Sequence, residues 1–203
     1  MSAAPQPAGN YYDKYRTANP IARWLMQGFL DAFDGLVAQV PASSALEIGC
    51  GEGELSIRLA RRGFRVRGCD ISADIVEEAR KRAREAKVEA TFRTQPIETI
   101  DIAAEAAPLV VCCEVLEHLD DPVGGVEILA GLAQPYLLAS VPREPLWRGL
   151  NMARGKYLGA LGNTPGHVNH WSRDGFLRLL ERRFEVIEVR SPLPWTMALC
   201  RRR

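Results

Sequence analysis

Apolar positions in PIARWLMQGFLDAFDGLVAQV recur at Ile21, Trp24/Leu25, Gly28/Phe29, Ala32/Phe33 and Leu36/Val37, the spacing of one helix face. Pro20 suits a first turn and Pro41 stops the run, so a helix is predicted over residues 20–40. Beyond it, short apolar runs alternate with amphipathic ones. ALEIG precedes the helical ELSIRLARRG, which ends at Gly63. RVRGCD precedes a long helix capped by Ser72, with Glu77, Glu78, Lys81 and Arg82 along its exposed side. ATFRT reads as a third strand and PLVVCCEV as a fourth, whose unbroken apolar character fits burial on both faces of a parallel sheet. A helix from Pro122 to Leu132 leads to YLLASV, and the helix RDGFLRLLERR leads to FEVIEVR and TMALCR. This alternation predicts a doubly wound α/β fold with a seven-stranded, mostly parallel sheet. No helix separates the last two strands, so they are expected to form an antiparallel pair at the sheet edge.

One segment breaks the rhythm. Residues 142–171 lie between a strand and a helix, where roughly two to six residues are usual. An insertion of this size after the fifth strand reads as a lid or binding loop where substrate identity is decided. Leu146, Leu150, Ala153, Tyr157 and Leu161 follow helical spacing, with Arg148, Arg154 and Lys156 partly on the other side. A basic amphipathic helix suits peripheral contact with a membrane. Gly149, Gly155, Gly159 and Gly162 each weaken a helix by about 1 kcal/mol relative to Ala, which favours a mobile lid instead.

Composition narrows the class. With 47% apolar and 25% charged residues, the 203-residue chain is that of a globular protein able to bury a core. A net charge of +1 speaks against a nucleic-acid partner. No run approaches the roughly 20 apolar residues of a transmembrane helix, and MSAAPQPAGN lacks the features of a signal peptide. Residues 1–10 are expected to be disordered and residues 11–203 to form one domain. Cys50, Cys69, Cys112, Cys113 and Cys200 are odd in number and form no C-x-x-C pair, so they are read as reduced, buried thiols of a cytoplasmic protein.

The chemistry starts at LEIGCGEGEL. Gly49, Gly51 and Gly53 follow a strand and precede a helix, where a bare backbone permits left-handed turns and close approach of a ligand. A dinucleotide fingerprint would put its third small residue where Glu54 stands, and a carboxylate there would repel a pyrophosphate. The pattern with Glu47 in front, E-x-G-x-G-x-G, resembles motif I of the class I S-adenosylmethionine-dependent methyltransferases. Asp70, which ends the next strand within GCDIS, and the stretch CCEVLEHLDDP extend that resemblance over nearly the whole chain. It implies a Rossmann-like fold and S-adenosylmethionine as cofactor. Asp70 would hold the ribose and Ile71 would pack on adenine. Glu47 and the bend Gly49, Cys50, Gly51 and Gly53 would receive the methionine part, with Glu114 at the neighbouring strand tip. Gln95 stands where relatives often carry an acid for the adenine amino group, and Pro108 where they have an Asp opening the fourth strand.

In EVLEHLDD, Glu114, Glu117 and His118 are expected on one side of a turn, a donor set that could bind a divalent ion. Two families that this segment resembles use such a cluster: quinone-pathway O-methyltransferases, and the 2′-O-methyltransferases that cap small-RNA 3′ ends. In the second a downstream His completes the site, as His167 would. The competing reading is structural, with Glu and His bonding nearby backbone, and no metal is assigned. His118, His167 and His170 are the catalytic candidates, Trp147 and Arg148 acceptor candidates. Tyr11, Tyr12 and Tyr15 are candidates to close over the cofactor. The reading favoured is methyl transfer to an O or N of a small-molecule acceptor, a lipid-like compound being one candidate. The alternatives are an RNA 3′-terminal 2′-O-methyltransferase and a non-catalytic S-adenosylmethionine-binding module.

Overall fold

The computed structural model describes residues 18–203, so the expectations for residues 1–10 and for Tyr11, Tyr12 and Tyr15 lie outside the described residues. Helix α1 (Pro20–Val37) opens on an Asn19 cap whose side chain accepts from the Ile21 and Ala22 N–H groups. It stops three residues before the predicted end, capped at Ala38. Strand β1 (Ser44–Ile48) is followed by α2 (Glu54–Arg61), β2 (Arg65–Asp70), α3 (Ala73–Glu85) and β3 (Ala90–Thr94). The short α4 (Ile102–Glu105) precedes β4 (Ala107–Cys113), α5 (Pro122–Leu132) and β5 (Ala133–Pro142). Then come α6 (Leu146–Ala153), α7 (Arg173–Leu180), β6 (Phe184–Arg190) and β7 (Trp195–Arg202).

The seven strands lie in the order β3-β2-β1-β4-β5-β7-β6. Strands β1 to β5 pair in parallel, while β7 is antiparallel to both β5 and β6. The fold class and the antiparallel pair are therefore as the alternation predicts. Successive residues of β4 feed opposite faces. Leu109 and Val111 pack with α1 and α2, whereas Val110 and Cys112 pack under α5 and α7. Burial on both faces explains the continuous apolar run. Pro108 is exposed at a register shift at the start of β4, away from the strand's carboxyl end.

Strand order reverses between β1 and β4, which opens a crevice beyond their carboxyl ends. Because β7 runs antiparallel, its first residue, Trp195, lies beside Pro142 at that same end. The insertion is less helical than its spacing suggests. Helix α6 ends at Ala153, Gly155 and Tyr157 enter the left-handed region at φ 69° and 54°, and a single 3-10 turn spans Leu158–Ala160.

Candidate functional site

Three parallel strands, β1, β2 and β4, bring three acidic residues toward the crevice, and each meets a different environment. Glu47 in β1 is 3% exposed and accepts a hydrogen bond from Ser56 Oγ on α2. Burial pushes its carboxyl up to about 8, so the group is mostly the neutral acid at pH 7. Asp70 ends β2 and aims at the glycine bend: its Oδ2 accepts from Gly51 N–H at 3.0 Å and its Oδ1 from Ser72 N–H at 3.1 Å. Glu114 follows β4 with φ 61°, and its carboxylate accepts from Trp195 Nε1–H at 2.7 Å and from Ser140 Oγ–H at 3.1 Å.

The bend itself separates two uses of glycine. Gly49 has φ 69°, and a Cβ there would lie 2.2 Å from Val115 Cγ2, so packing forbids one. Gly51 has φ 50°, and a Cβ there would meet nothing within 4 Å. The space above Gly51 is thus open where a close-lying ligand would need it. Gly53 caps α2 with φ 83° and offers no side-chain cap, leaving first-turn N–H groups directed at the crevice. Cys50 turns its thiol into the cluster formed by Phe92, Val76 and Ala79, so only its backbone faces the bend. Ile71, at the tip of β2, is 48% exposed, an apolar surface beside Asp70. Gln95 donates from Nε2 to the Thr99 carbonyl, which leaves its own carbonyl oxygen as the acceptor on offer.

The acceptor side is built from the insertion. Val168 and Asn169 N–H groups both donate to the Glu117 carbonyl, and Asn169 Nδ2 donates to the carbonyls of Leu116 and Leu119. These bonds bring His167 onto the turn after β4. One ligand atom each from Glu117, His118 and His167 lies within 4.8 Å of the others. Glu114, which the spacing grouped with Glu117 and His118, is not among them. Its left-handed backbone and the non-helical Val115 swing its side chain to Trp195 and Ser140 instead. His118 Nδ1 stands 2.8 Å from the Gly166 carbonyl, which can only accept, so Nδ1 carries the proton and Nε2 is the basic nitrogen. His170 bonds Asn163 Oδ1 at 2.7 Å, outside this cluster.

A row of rings joins α1 to this turn. Phe29 meets Trp195 at 5.1 Å, Trp195 meets Trp147 at 5.8 Å, Trp147 stacks on His167 at 6.0 Å, and His167 meets His118 at 4.9 Å. Trp147 Nε1–H also donates to Thr164 Oγ1. Arg148 does not face the row, because its Nε donates to the Leu161 carbonyl. Sequence reasoning missed Trp195, Ser140 and Gly166, which fix Glu114 and His118. Nothing in their local sequence marks them, since only the sheet order brings β7 beside β5. A separate groove of about 440 Å³, between α1 and the β6–β7 loop, holds none of the crevice residues.

Residues 45–133 match the sequence profile of a methyltransferase domain. The ubiquinone biosynthesis O-methyltransferase of Xanthomonas campestris pv. campestris is 33% identical over 138 residues, 65% of this chain and 56% of that protein. Among solved structures, the S-adenosylhomocysteine-bound magnesium protoporphyrin IX methyltransferase of Synechocystis superimposes with a TM-score of 0.73. It is 25% identical, covering 94% of this chain and 91% of that one. Over residues 45–133 the chain carries a methyltransferase domain, and these likenesses support one of the class I S-adenosylmethionine-dependent type. The chain spans just over half the length of the curated relatives it matches first. An N-methyltransferase of Bradyrhizobium japonicum shares the fold at 19% identity and a TM-score of 0.66, over 91% of this chain and 89% of that one. Among the described residues, no helix is long and apolar enough to cross a membrane.

Proposed function

We propose that the chain transfers the methyl group of S-adenosylmethionine to an oxygen or nitrogen of a small-molecule acceptor. The observation that carries this reading is the glycine bend with Asp70 bonded to Gly51 N–H, beside the open space above Gly51. These residues fit the cofactor. Asp70 would hold the ribose hydroxyls, Ile71 would cover the adenine, and the Gly49–Gly53 backbone would receive the methionine part, with Glu47 supporting the bend from beneath. Gln95 would meet the adenine amino group through its carbonyl. When bound, the sulfonium supplies an activated methyl group.

The residues of the chain then orient and exclude. The stacked Trp147 and His167 favour an acceptor with a planar or apolar portion, as a lipid-like or aromatic compound has. His118 Nε2 is the nitrogen that would take a proton from an acceptor hydroxyl. His167 would position the acceptor beside it. Names of relatives point the same way, since the Xanthomonas and Synechocystis proteins are named for action on small molecules.

A divalent ion is a second element, favoured by the convergence of Glu117, His118 and His167. The Gly166 carbonyl that accepts from His118 Nδ1 is the kind of partner that orients a metal-bound imidazole. An RNA-terminus reading needs Glu114 in that set as well, and the balanced net charge of +1 does not favour it. Calorimetry with S-adenosylhomocysteine tests the cofactor, with Asp70→Ala expected to weaken binding at least tenfold. Tight binding of NAD but not of S-adenosylhomocysteine would refute the reading. An acceptor screen with and without chelator, and zinc titration of His167→Ala, test the ion.

A further inference from the structure

Helix α1 is apolar on two sides. Its buried side carries Phe29 and Phe33, and Phe29 meets Trp195 at 5.1 Å. Its outer side carries Ile21 at 69% exposure and Trp24 at 65%, among the most exposed large apolar side chains of the described residues. An indole and an aliphatic side chain left together in water on one helix face mark a contact surface.

The same face holds a hollow of matching character. The groove of about 440 Å³ is floored by Gly28 and Ala32 and walled by Pro192 and Leu193. A Cβ at Gly28 would meet nothing within 4 Å, so the space over it is open, and Leu193 on the far wall is 43% exposed. Side chains on a helix lean toward its N-terminus, so Trp24 lines one end of the groove without filling it. Knob and hollow meet across a two-fold axis instead. An axis beside Gln27 runs a second α1 antiparallel to the first and sets Trp24 of each copy over Gly28 and Ala32 of the other. Small residues at that contact let the helix axes approach to about 8–10 Å.

The charges on this face obey the same symmetry. Arg23 and Asp31 are exposed and lie equally far from Gln27 on either side, so the operation brings Arg23 of each copy level with Asp31 of the other. Among the described residues neither has an ion pair within the chain, and Asp31 accepts a hydrogen bond from Gln27 at 2.7 Å. One face thus carries a knob, a hollow, a cation and an anion in self-complementary order, as an isologous contact requires.

We propose that a second copy of this chain occupies the groove, in a two-fold dimer built on α1. Trp24 is its anchor, Gly28 and Ala32 receive the indole, and the Arg23–Asp31 pairs close the rim. The face spans about three turns of one helix and one loop, the low end of stable interfaces, so monomer and dimer exchange at micromolar concentrations. Dimerisation needs no methyl transfer, so its failure and the failure of the proposed activity are separable.

Sedimentation velocity of the full chain across the micromolar range tests it. The parent chain should pass from monomer to dimer as concentration rises. Trp24→Ala should raise the dissociation constant about thirtyfold or more, as loss of a central aromatic anchor does. Gly28→Leu fills the hollow and should abolish the dimer, with a melting temperature unchanged or higher because Leu is the better helix former. Asp31→Arg should weaken the dimer about tenfold or more, and adding Arg23→Asp should recover most of that loss. Circular-dichroism melting of each variant keeps a folding defect from mimicking these effects. A chain that stays monomeric throughout the range would overturn the proposal. So would a dimer that Trp24→Ala and Gly28→Leu leave intact, or a charge swap without recovery.

Discussion

Replacing Glu47 by Gln removes an acid that the fold keeps protonated, and its signature is a change in how stability depends on pH. In the folded chain the carboxyl is raised to about 8 by burial, against 4.5 for the exposed group. Between those values the unfolded chain has lost the proton and the folded chain retains it. Stability from this group is therefore greatest below about pH 4.5 and falls as pH rises, by about 1.4 kcal/mol per unit, until roughly pH 8. From about pH 5.5 to about pH 7.5 the wild type should lose about 2–3 kcal/mol that Glu47→Gln does not lose. The amide oxygen still accepts from Ser56 Oγ, so the packing of α2 on β1 is kept. Urea unfolding followed by tryptophan fluorescence at several pH values gives the comparison, with equal m-values as the control for two-state behaviour. Titrating groups distant from Glu47 are common to both proteins and cancel in the difference. Stability curves that run parallel with pH would refute the claim that Glu47 is held neutral.

The two leading glycines of the bend should behave differently. Gly49→Ala drives a Cβ into Val115 and should cost about 2–4 kcal/mol in urea unfolding. Gly51→Ala should cost only about 1–2 kcal/mol, from its positive φ, yet lower S-adenosylhomocysteine affinity at least tenfold by calorimetry. All five cysteines are buried, and burial pushes the thiols of Cys50, Cys69, Cys112 and Cys200 up. A thiol reagent should therefore label the native protein slowly and all five sites promptly in denaturant. Trp195→Phe keeps the contact with Phe29 but deprives the Glu114 carboxylate of a donor, and should destabilise by about 1–3 kcal/mol in the same unfolding assay.

What the sequence made legible is what local physics decides. Glycine placement, Ser72 capping and the change from one apolar period to another fix where β1, α2, β2 and α3 begin and end. What stayed hidden depends on distant partners. Glu114 and Glu117 are three apart, which suggests a shared face only if the backbone between them is helical. Glu114 instead sits at φ 61° and Val115 at φ −125°, because Trp195 and Ser140 claim the carboxylate. The lid failed as a continuous helix for a related reason. Its apolar spacing continues to Leu161, but Asn151 bonds Gly162 and folds the chain back on α6.

The three carboxyl groups around the crevice share one constraint when viewed from the reaction proposed here. A sulfonium loses its positive charge as the methyl group leaves, so a bare carboxylate against the sulfur would stabilise the ground state more than the transition state. Glu47 meets this constraint by burial, which keeps it protonated. Asp70 meets it by direction, with both oxygens engaged by backbone N–H groups at the tip of β2. Glu114 meets it by donors, since an indole N–H and a hydroxyl spread its charge away from the bend. One strand order thus gathers acids for binding, and local environment keeps each from opposing the chemistry. Restoring an ionised group beneath the bend, by raising pH through about 8, should slow methyl transfer as well as weaken the fold. A rate that stays level across that range, with acceptor saturating, would show that the Glu47 charge does not reach the sulfur.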